Sequence, residues 1–452
     1  MSKSQYDLTQ GNILNRMLLV ALPIMGTQLM QMAYNLVDMF WLGRLSPEAV
    51  VASGTGGMYL WLAFAFIILG RMGAEIGVAQ NLGRKDPETA RSYSQTALQI
   101  AVCLGLIYGA LLFFGSDQLI GFFALQDPAV ASDASGYLAI SGLCMPFMFI
   151  SAVFTGTFNA SGNSRFSFKV NIYGQIANII LDPIMIFGLK LGVRGVAVAT
   201  VISQLLVVSL FLYSIKYNRD RPFANYSFVT RLDFSKVRQI VQWCTPIVLE
   251  NLLFTSLAML TTRLIATFGT EALAVQRIGS QIESLSWLIA GGFGSALTAF
   301  VGQNYGAGKW TRIRDSFKIS TRTMFIWGTV VTFALFFCGR ALYGVFLPDD
   351  ELIKDMGQTY IRILAICQIA ACLEAVAAGA FRGTGQTLPP SLVSISCNSL
   401  RVLFAYLLAA TSLGLNGVWW AVTICGSLRG FGIFIWYLLA QRKQPNRDLV
   451  AV

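Results

Sequence analysis

ALPIMGTQLMQMAYNLVDMFWLG, residues 21–43, decides the fold class. Asp38 is the only side chain in this run that carries a full charge. A helix that crosses a bilayer needs about 20 mostly apolar residues, and the run supplies them. The rest of the chain repeats the pattern. Of 452 residues, 55% are hydrophobic and 12% charged, about half the charge of a typical soluble domain. Working outward, the hydrophobic windows predict about twelve spans, at 17–42, 52–78, 93–114, 134–158, 167–188, 195–215, 240–266, 275–301, 318–338, 356–381, 391–411 and 417–440. The expected fold is an all-α polytopic membrane protein with 12 transmembrane helices. The first 16 residues, MSKSQYDLTQGNILNR, are polar and carry no cleavable signal pattern.

The segments between spans alternate in charge. GRKDPETARS (83–92), KYNRDRPFANYSFVTRLDFSKVR (216–238), GAGKWTRIRDSFK (306–318) and QRKQPNR (441–447) belong to a basic set that holds about 22 of the 33 lysines and arginines. The opposite set holds Arg44, Lys190, Arg194, Arg340 and Lys354. The positive-inside rule then places both termini in the cytoplasm of a plasma (inner) membrane protein. The net charge of +11 is a topology signal, and no nucleic-acid partner is expected.

The run also anchors an internal repeat. At a shift of about 223 residues Pro23 falls on Pro246, Glu48-Ala49 on Glu271-Ala272, Gln80-Asn81 on Gln303-Asn304 and Gly83 on Gly306. Further on, Phe158 meets Phe381 and Gly162 meets Gly385. Six spans return the chain to its starting side, so the two pseudo-symmetric six-helix lobes share one orientation, the parallel-repeat plan of several secondary transporters. The lobes are expected at 1–215 and 240–452, with 216–239 as a cytoplasmic linker.

An ionisable residue inside a span costs about 2.5–3.5 kcal/mol at the helix centre on insertion scales, so each is a functional candidate. The acidic ones are Asp38, Glu75, Asp182, Glu250, Glu283 and Glu374; the basic ones are Arg71, Arg263, Arg277, Arg362, Arg401 and Arg429. The topology puts Asp38, Asp182 and Thr200 within roughly 10 Å of the outer boundary, on three helices of one lobe. Asn178 and Asp182 are four apart and share a helical face. Pro183 is expected to turn Asp182 away from helical geometry and to free the carbonyl of Ile179. Two carboxylates, an amide, a hydroxyl and a freed carbonyl suit a hard cation or a shared proton. The structural alternative for Asp182 is a hydrogen-bonding role at the helix end. The repeat places Thr261 opposite Asp38 and Ala405 opposite Asp182, so the fold does not require the pair, which favours function. Arg71 and Glu75 read as a local salt bridge, and Glu283 and Glu374 as partners for Arg277 and Arg401. Arg401 falls where the repeat places Asn178, an internal positive charge in place of a cation site. Met32, Asn35, Asn171, Glu250, Gln281 and Glu283 are candidates for a substrate cavity.

With these residues in view, the chain resembles the multidrug and toxic compound extrusion (MATE) family, in its DinF-type branch. The resemblance covers nearly the whole chain. It rests on residues 21–43, on ALAVQRIGSQIESLSW and GFGSALTAFVGQNYGAGK, and on FNASGNS, NIILDPIMIFG, GVRGVAVATVISQ and FRGTGQT. It implies two lobes around a cavity that opens alternately to each side, and export of organic, often cationic, compounds against an inward proton or sodium gradient. It also implies a cation site at Asp38, Asn178, Asp182 and Thr200 with Tyr34 beside it; those four would be the metal ligands if the ion is sodium. Another branch places a glutamate in span 7 and an aspartate in span 10. Here Glu250 lies nearer the span 7 proline and Glu374 replaces the aspartate, so no second-lobe cation site is expected.

The remaining features narrow the classes. There is no histidine, which removes His-based triads, His metal ligands and His proton relays. The eight cysteines form no CxxC and read as small buried hydrophobes. A membrane-embedded enzyme and a channel are both disfavoured. The expected partners are small organic substrates and the bilayer, with no cofactor beyond the coupling ion and a monomeric chain. The alternative within transport is a lipid-linked glycan flippase of a related fold, for which a groove rich in basic residues would speak.

Overall fold

The computed structural model describes residues 7–123, 125, 127–217, 221–223, 225–228, 230–346 and 350–442. The stretches 1–6 and 443–452, on which the cytoplasmic placement of the termini falls, lie outside the described residues, as do parts of the linker.

The described residues form fourteen α-helices. They are α1 (Ile13–Leu45), α2 (Pro47–Gly83), α3 (Pro87–Phe114), α4 (Ser116–Gly121), α5 (Pro128–Ala160), α6 (Ser164–Pro183), α7 (Val193–Tyr217), α8 (Phe234–Ala266), α9 (Thr270–Gly306), α10 (Trp310–Phe346), α11 (Glu351–Ala365), α12 (Gln368–Gly383), α13 (Leu388–Ala409) and α14 (Leu415–Arg442). Eleven segments are long and apolar enough to cross a membrane, and α11 with α12, bent by 44° at a short break, makes a twelfth. Large apolar side chains stay exposed along them, as with Trp61, Phe114 and Phe337, which suits a hydrocarbon solvent. The protein is a multi-pass, all-α membrane protein.

Two compact units divide the chain. The first holds 22–248, with the chain start to Gln10; the second holds Gly11–Ala21 and 249–452. The division falls inside α1 and α8, near Pro23 and Pro246, rather than at the linker. In the first unit α5 is central, packing on α2, α3 and α7. Phe154 stacks on Phe211 with ring centres 5.8 Å apart, and Phe158 packs on the same ring at 5.7 Å. The described part of the linker is bound to α3. Gln95 donates to the Ser227 carbonyl at 2.8 Å, Gln99 to that of Thr230 at 2.7 Å, and Lys236 to the Ser92 hydroxyl at 2.7 Å. In the second unit α12 packs on α9, α10 and α14. There the Tyr343 hydroxyl donates to the Val275 carbonyl at 2.6 Å, and Tyr360 meets Trp419 edge-on at 5.2 Å.

The repeat recurs in the detailed geometry. Gly162 and Gly385 both take positive φ, +84° and +80°, a conformation that glycine adopts without a Cβ penalty. The following residues close the same turn, Asn163 N to Phe158 O at 2.9 Å and Gln386 N to Phe381 O at 3.0 Å. Asn81 donates to the Gly77 carbonyl and Asn304 to that of Phe300, each at 2.8 Å. A Cβ on Gly156 would collide with the Arg71 carbonyl, and one on Gly379 with the Gly294 carbonyl.

The halves differ, among other places, at α5 and its counterpart. α5 carries Pro146 and runs unbroken, whereas its counterpart, read from the sequence as one span at 356–381, breaks at 366–367 without a proline. Hydroxyls from other helices bond the carbonyls just before the break. Thr332 donates to the Ala365 carbonyl at 3.0 Å and Thr423 to that of Ile363 at 3.1 Å, while Gln368 reaches Leu364 O at 3.3 Å. The threonine bonds give carbonyls beside the break a partner from outside their own helix.

Candidate functional site

The polar face of the first unit is built from two helical stripes. On α1, Gln31, Tyr34 and Asp38 recur at spacings that keep one face. On α6, Asn171, Gln175, Asn178 and Asp182 do the same. α7 adds Thr200. The turn between α6 and α7 brings Leu45 against Gly192 and Trp41 against Phe187, with ring centres 6.1 Å apart. The end of α1, the end of the α6 segment and the start of α7 therefore meet. Asp38, Asp182 and Thr200 each lie six or seven residues from that end, roughly 10 Å along the helix axis.

Asp182 is fully buried and Asn178 is 2% exposed. The Asp38 and Asp182 carboxyls lie close enough to influence one another. The Tyr34 hydroxyl lies beside Asp38 and Thr200. Asn178 is tied to Thr200. With its amide nitrogen donating to Asp182 Oδ2 at 3.3 Å, its oxygen accepts from Thr200 N at 3.1 Å. The Thr200 hydroxyl in turn donates to the Val196 carbonyl at 2.9 Å. Asp38 Oδ1 and Asp182 Oδ1 are buried and meet no donor among the described residues. Two facing carboxyls with orphaned oxygens are an acceptor set that a proton or a small hard cation completes.

Pro183 acts differently from the sequence expectation. Asp182 stays helical, as does Pro183 itself with φ −64° and ψ −30°. The irregularity follows instead, as a π-turn over Ile184–Gly188, with Leu189 N bonded to Ile184 O at 2.8 Å. Such widened turns insert a residue into a helix and often lie at functional sites.

A cavity of about 40 Å³, with neither carboxylate in its lining, is lined by Gln31, Tyr34, Asn171, Asn178 and Thr200 among others. It has room for an ion and a water but not for an organic molecule. Gln31 and Gln175, joined at 3.2 Å, were missed in the sequence reading; their positions on the two polar stripes could have found them. Of the substrate-cavity candidates, Asn171 lines this small cavity and donates to Thr155 Oγ1 at 3.2 Å. Met32 is half-buried, and Asn35 is exposed and accepts from Gln31 at 3.3 Å.

The other candidates belong to the second unit. Glu250 accepts from the Ser391 hydroxyl at 2.8 Å, Gln281 is exposed, and Glu283 is 4% exposed. The predicted pairing of Glu374 with Arg401 is not found. Glu374 pairs with Arg429 at 2.8 Å, because the α12 and α14 faces that meet carry those two residues. Glu283 makes no ion pair among the described residues, with Arg277 or otherwise. Arg71 and Glu75 approach to 3.9 Å, as the spacing predicts.

Comparisons with known proteins bear on this arrangement. The family model MatE matches residues 23–184 and again 246–407. The matches are offset by 223 residues at both ends, the shift at which the two halves overlie. "Probable multidrug resistance protein NorM" of Thermotoga maritima is 29% identical over 408 residues, covering 88% of this chain and 87% of the relative. "Multidrug export protein MepA" of Staphylococcus aureus is 23% identical over 443 residues, covering 97% and 96%. Among solved structures, "Crystal structure of MATE in complex with MaD3S" superposes with a TM-score of 0.91 at 21% identity, covering 97% of this chain and 99% of that one. "Crystal structure of MATE in the bent conformation" gives the same score at 21% identity, covering 97% of both. These two likenesses show the fold. A model that matches both repeats, with relatives aligned along most of the length, gives the family: the chain belongs to the MatE family of membrane transporters.

Proposed function

We propose that this chain is a cation-coupled antiporter that exports organic, cationic or amphipathic compounds across the plasma membrane by alternating access, as a monomer with both termini in the cytoplasm. The names of its relatives, a multidrug resistance protein and a multidrug export protein, support the substrate class. The observation that carries the coupling is the Asp38–Asp182 pair, with one buried oxygen on each lacking a donor. Two carboxylates so placed need a proton or a cation between them. Their direct approach favours a proton as the coupling ion. Asn178 braces Asp182, Thr200 braces Asn178, and Tyr34 lies beside Asp38. Loading and release of one positive charge changes which conformation of the surrounding helices is stable, and that differential is what a gradient can drive. The π-turn after Pro183 gives the α6 segment a place to change shape.

The test uses vesicles containing the purified protein, ethidium as substrate, and a proton gradient alone or a sodium gradient alone. Efflux driven by the proton gradient in wild type and abolished in Asp38→Asn is the expected result. Efflux driven only by sodium would replace the ion and keep the site. Undiminished efflux in Asp38→Asn would remove the pair from coupling.

A further inference from the structure

The second unit holds a polar cluster that the cation pair does not use. Glu374 Oε2 accepts from Arg429 Nε at 2.8 Å, and Arg429 Nη1 donates to Asn398 Oδ1 at 3.3 Å. Asn398 and Arg401 are three apart on α13 and so lie on one face. Arg401 is 9% exposed, with its guanidinium carbon 5.4 Å from the centre of the Phe254 ring. Its Nε and Nη2 are buried and meet no acceptor among the described residues. These two nitrogens form one edge of the guanidinium. That edge is the planar fork that takes both oxygens of a carboxylate.

The nearby carboxylates are already engaged. Glu374 is held by Arg429. Glu250, one turn before Phe254 on α8, is held by Ser391. A buried guanidinium with an empty fork is costly to maintain, and its natural complement is an anion from outside the chain. Beside the cluster, α9 and α12 enclose a cavity of about 200 Å³ whose lining includes Trp287, Glu374, Arg382 and Arg429. Arg382 Nε is likewise buried without an acceptor. Arg429, which lines this cavity, donates to Asn398, one helical turn before Arg401.

We propose that the second lobe is a carboxylate-recognition site for flat amphipathic substrates, in which the Arg401 fork binds the carboxylate and the cavity beside Trp287 takes part of the apolar body. The site deepens the export reading, on which it rests for the direction of transport. Both fork nitrogens are covered in this conformation. No hydrogen bond ties them down, and the proposal requires a rotamer change that presents the fork to the ligand.

The experiment compares rhodamine 110, which carries a carboxylate, with rhodamine 123, its methyl ester. Binding of each dye to the detergent-purified full chain is read by fluorescence anisotropy. A charged bidentate contact predicts that wild type binds the acid about tenfold more tightly than the ester. Arg401→Gln should bring that ratio near one while leaving ester affinity unchanged. Arg401→Lys, which keeps the charge and loses the fork, should retain only part of the preference. This variant carries the test if Arg401→Gln does not fold. A wild-type ratio near one, an unchanged ratio in Arg401→Lys and Arg401→Gln, or equal loss of both dyes in the variants overturns the proposal. Binding needs no ion gradient, so this outcome stands apart from the vesicle test of coupling.

Discussion

Replacing Asp182 by asparagine should stabilise the protein and uncouple it at the same time. The wild-type pair leaves Asp38 Oδ1 and Asp182 Oδ1 buried without donors. A buried polar atom left unsatisfied costs about 1–3 kcal/mol. The introduced amide is the same size as the carboxyl. It keeps one oxygen to accept from Asn178 and adds an N–H group that can be turned toward Asp38. One orphaned acceptor is thereby filled for good, and the like-charge approach is removed. The expected gain is about 1–2 kcal/mol, read as a rise of about 2 °C in the unfolding midpoint of the detergent-purified chain. The cost falls on function, because a permanent donor cannot be released to either side. Gradient-driven ethidium efflux should drop to background, while ethidium exchange without a gradient persists. Thermal unfolding by tryptophan fluorescence and the two vesicle assays separate these effects. A variant that is less stable and has lost exchange as well would return Asp182 to a helix-end structural role and refute the reasoning.

Three further outcomes follow from other parts of the structure. Arg429→Gln strands the Glu374 carboxylate and should cost about 3 kcal/mol, whereas adding Glu374→Gln should recover most of the loss in a double-mutant cycle by thermal unfolding. Lys85 holds φ +61° where its repeat counterpart, Gly308, holds φ +71°; Lys85→Gly should stabilise by about 1 kcal/mol, and a loss of stability on chemical denaturation would show that the lysine side chain matters there. Asp86 caps α3 by accepting from Thr89 N at 2.9 Å, and the Thr89 hydrogen bonds hold its carboxyl below the usual range. Asp86→Ala should cost about 1 kcal/mol. A lowered folded-state pKa gives stability that is present above the ordinary value of 3.8 and is lost as pH falls through the folded value, so the difference between wild type and Asp86→Ala should vanish in acid.

What could be seen in the sequence, and what could not, divides along a physical line. The repeat was legible because turn glycines and helix-capping amides are fixed by local backbone geometry. Gly162 with Gly385 and Asn81 with Asn304 make the same local bonds in each half. Asp38 and Asp182 were legible because a carboxylate in an apolar run is expensive wherever the run goes. Their convergence needed only helix direction and residue count. The break at 366–367 was hidden, since nothing in that segment is a helix breaker. The hydroxyls that meet the carbonyls there, Thr332 and Thr423, come from other helices. The partner of Glu374 was hidden for the same reason: Arg401 and Arg429 are equal choices until the helix faces are known, and the face chosen leaves Arg401 with an empty fork. The two halves thus share a backbone and differ in charge. The first half buries carboxyl oxygens without donors, and the second buries a guanidinium without acceptors among the described residues. On the two proposals above, the chain keeps one set of helix contacts for both lobes while each lobe takes a ligand of opposite sign. The Arg401 and Asp182 variants should therefore fail in different assays, one in recognition of the acid dye and the other in use of the gradient.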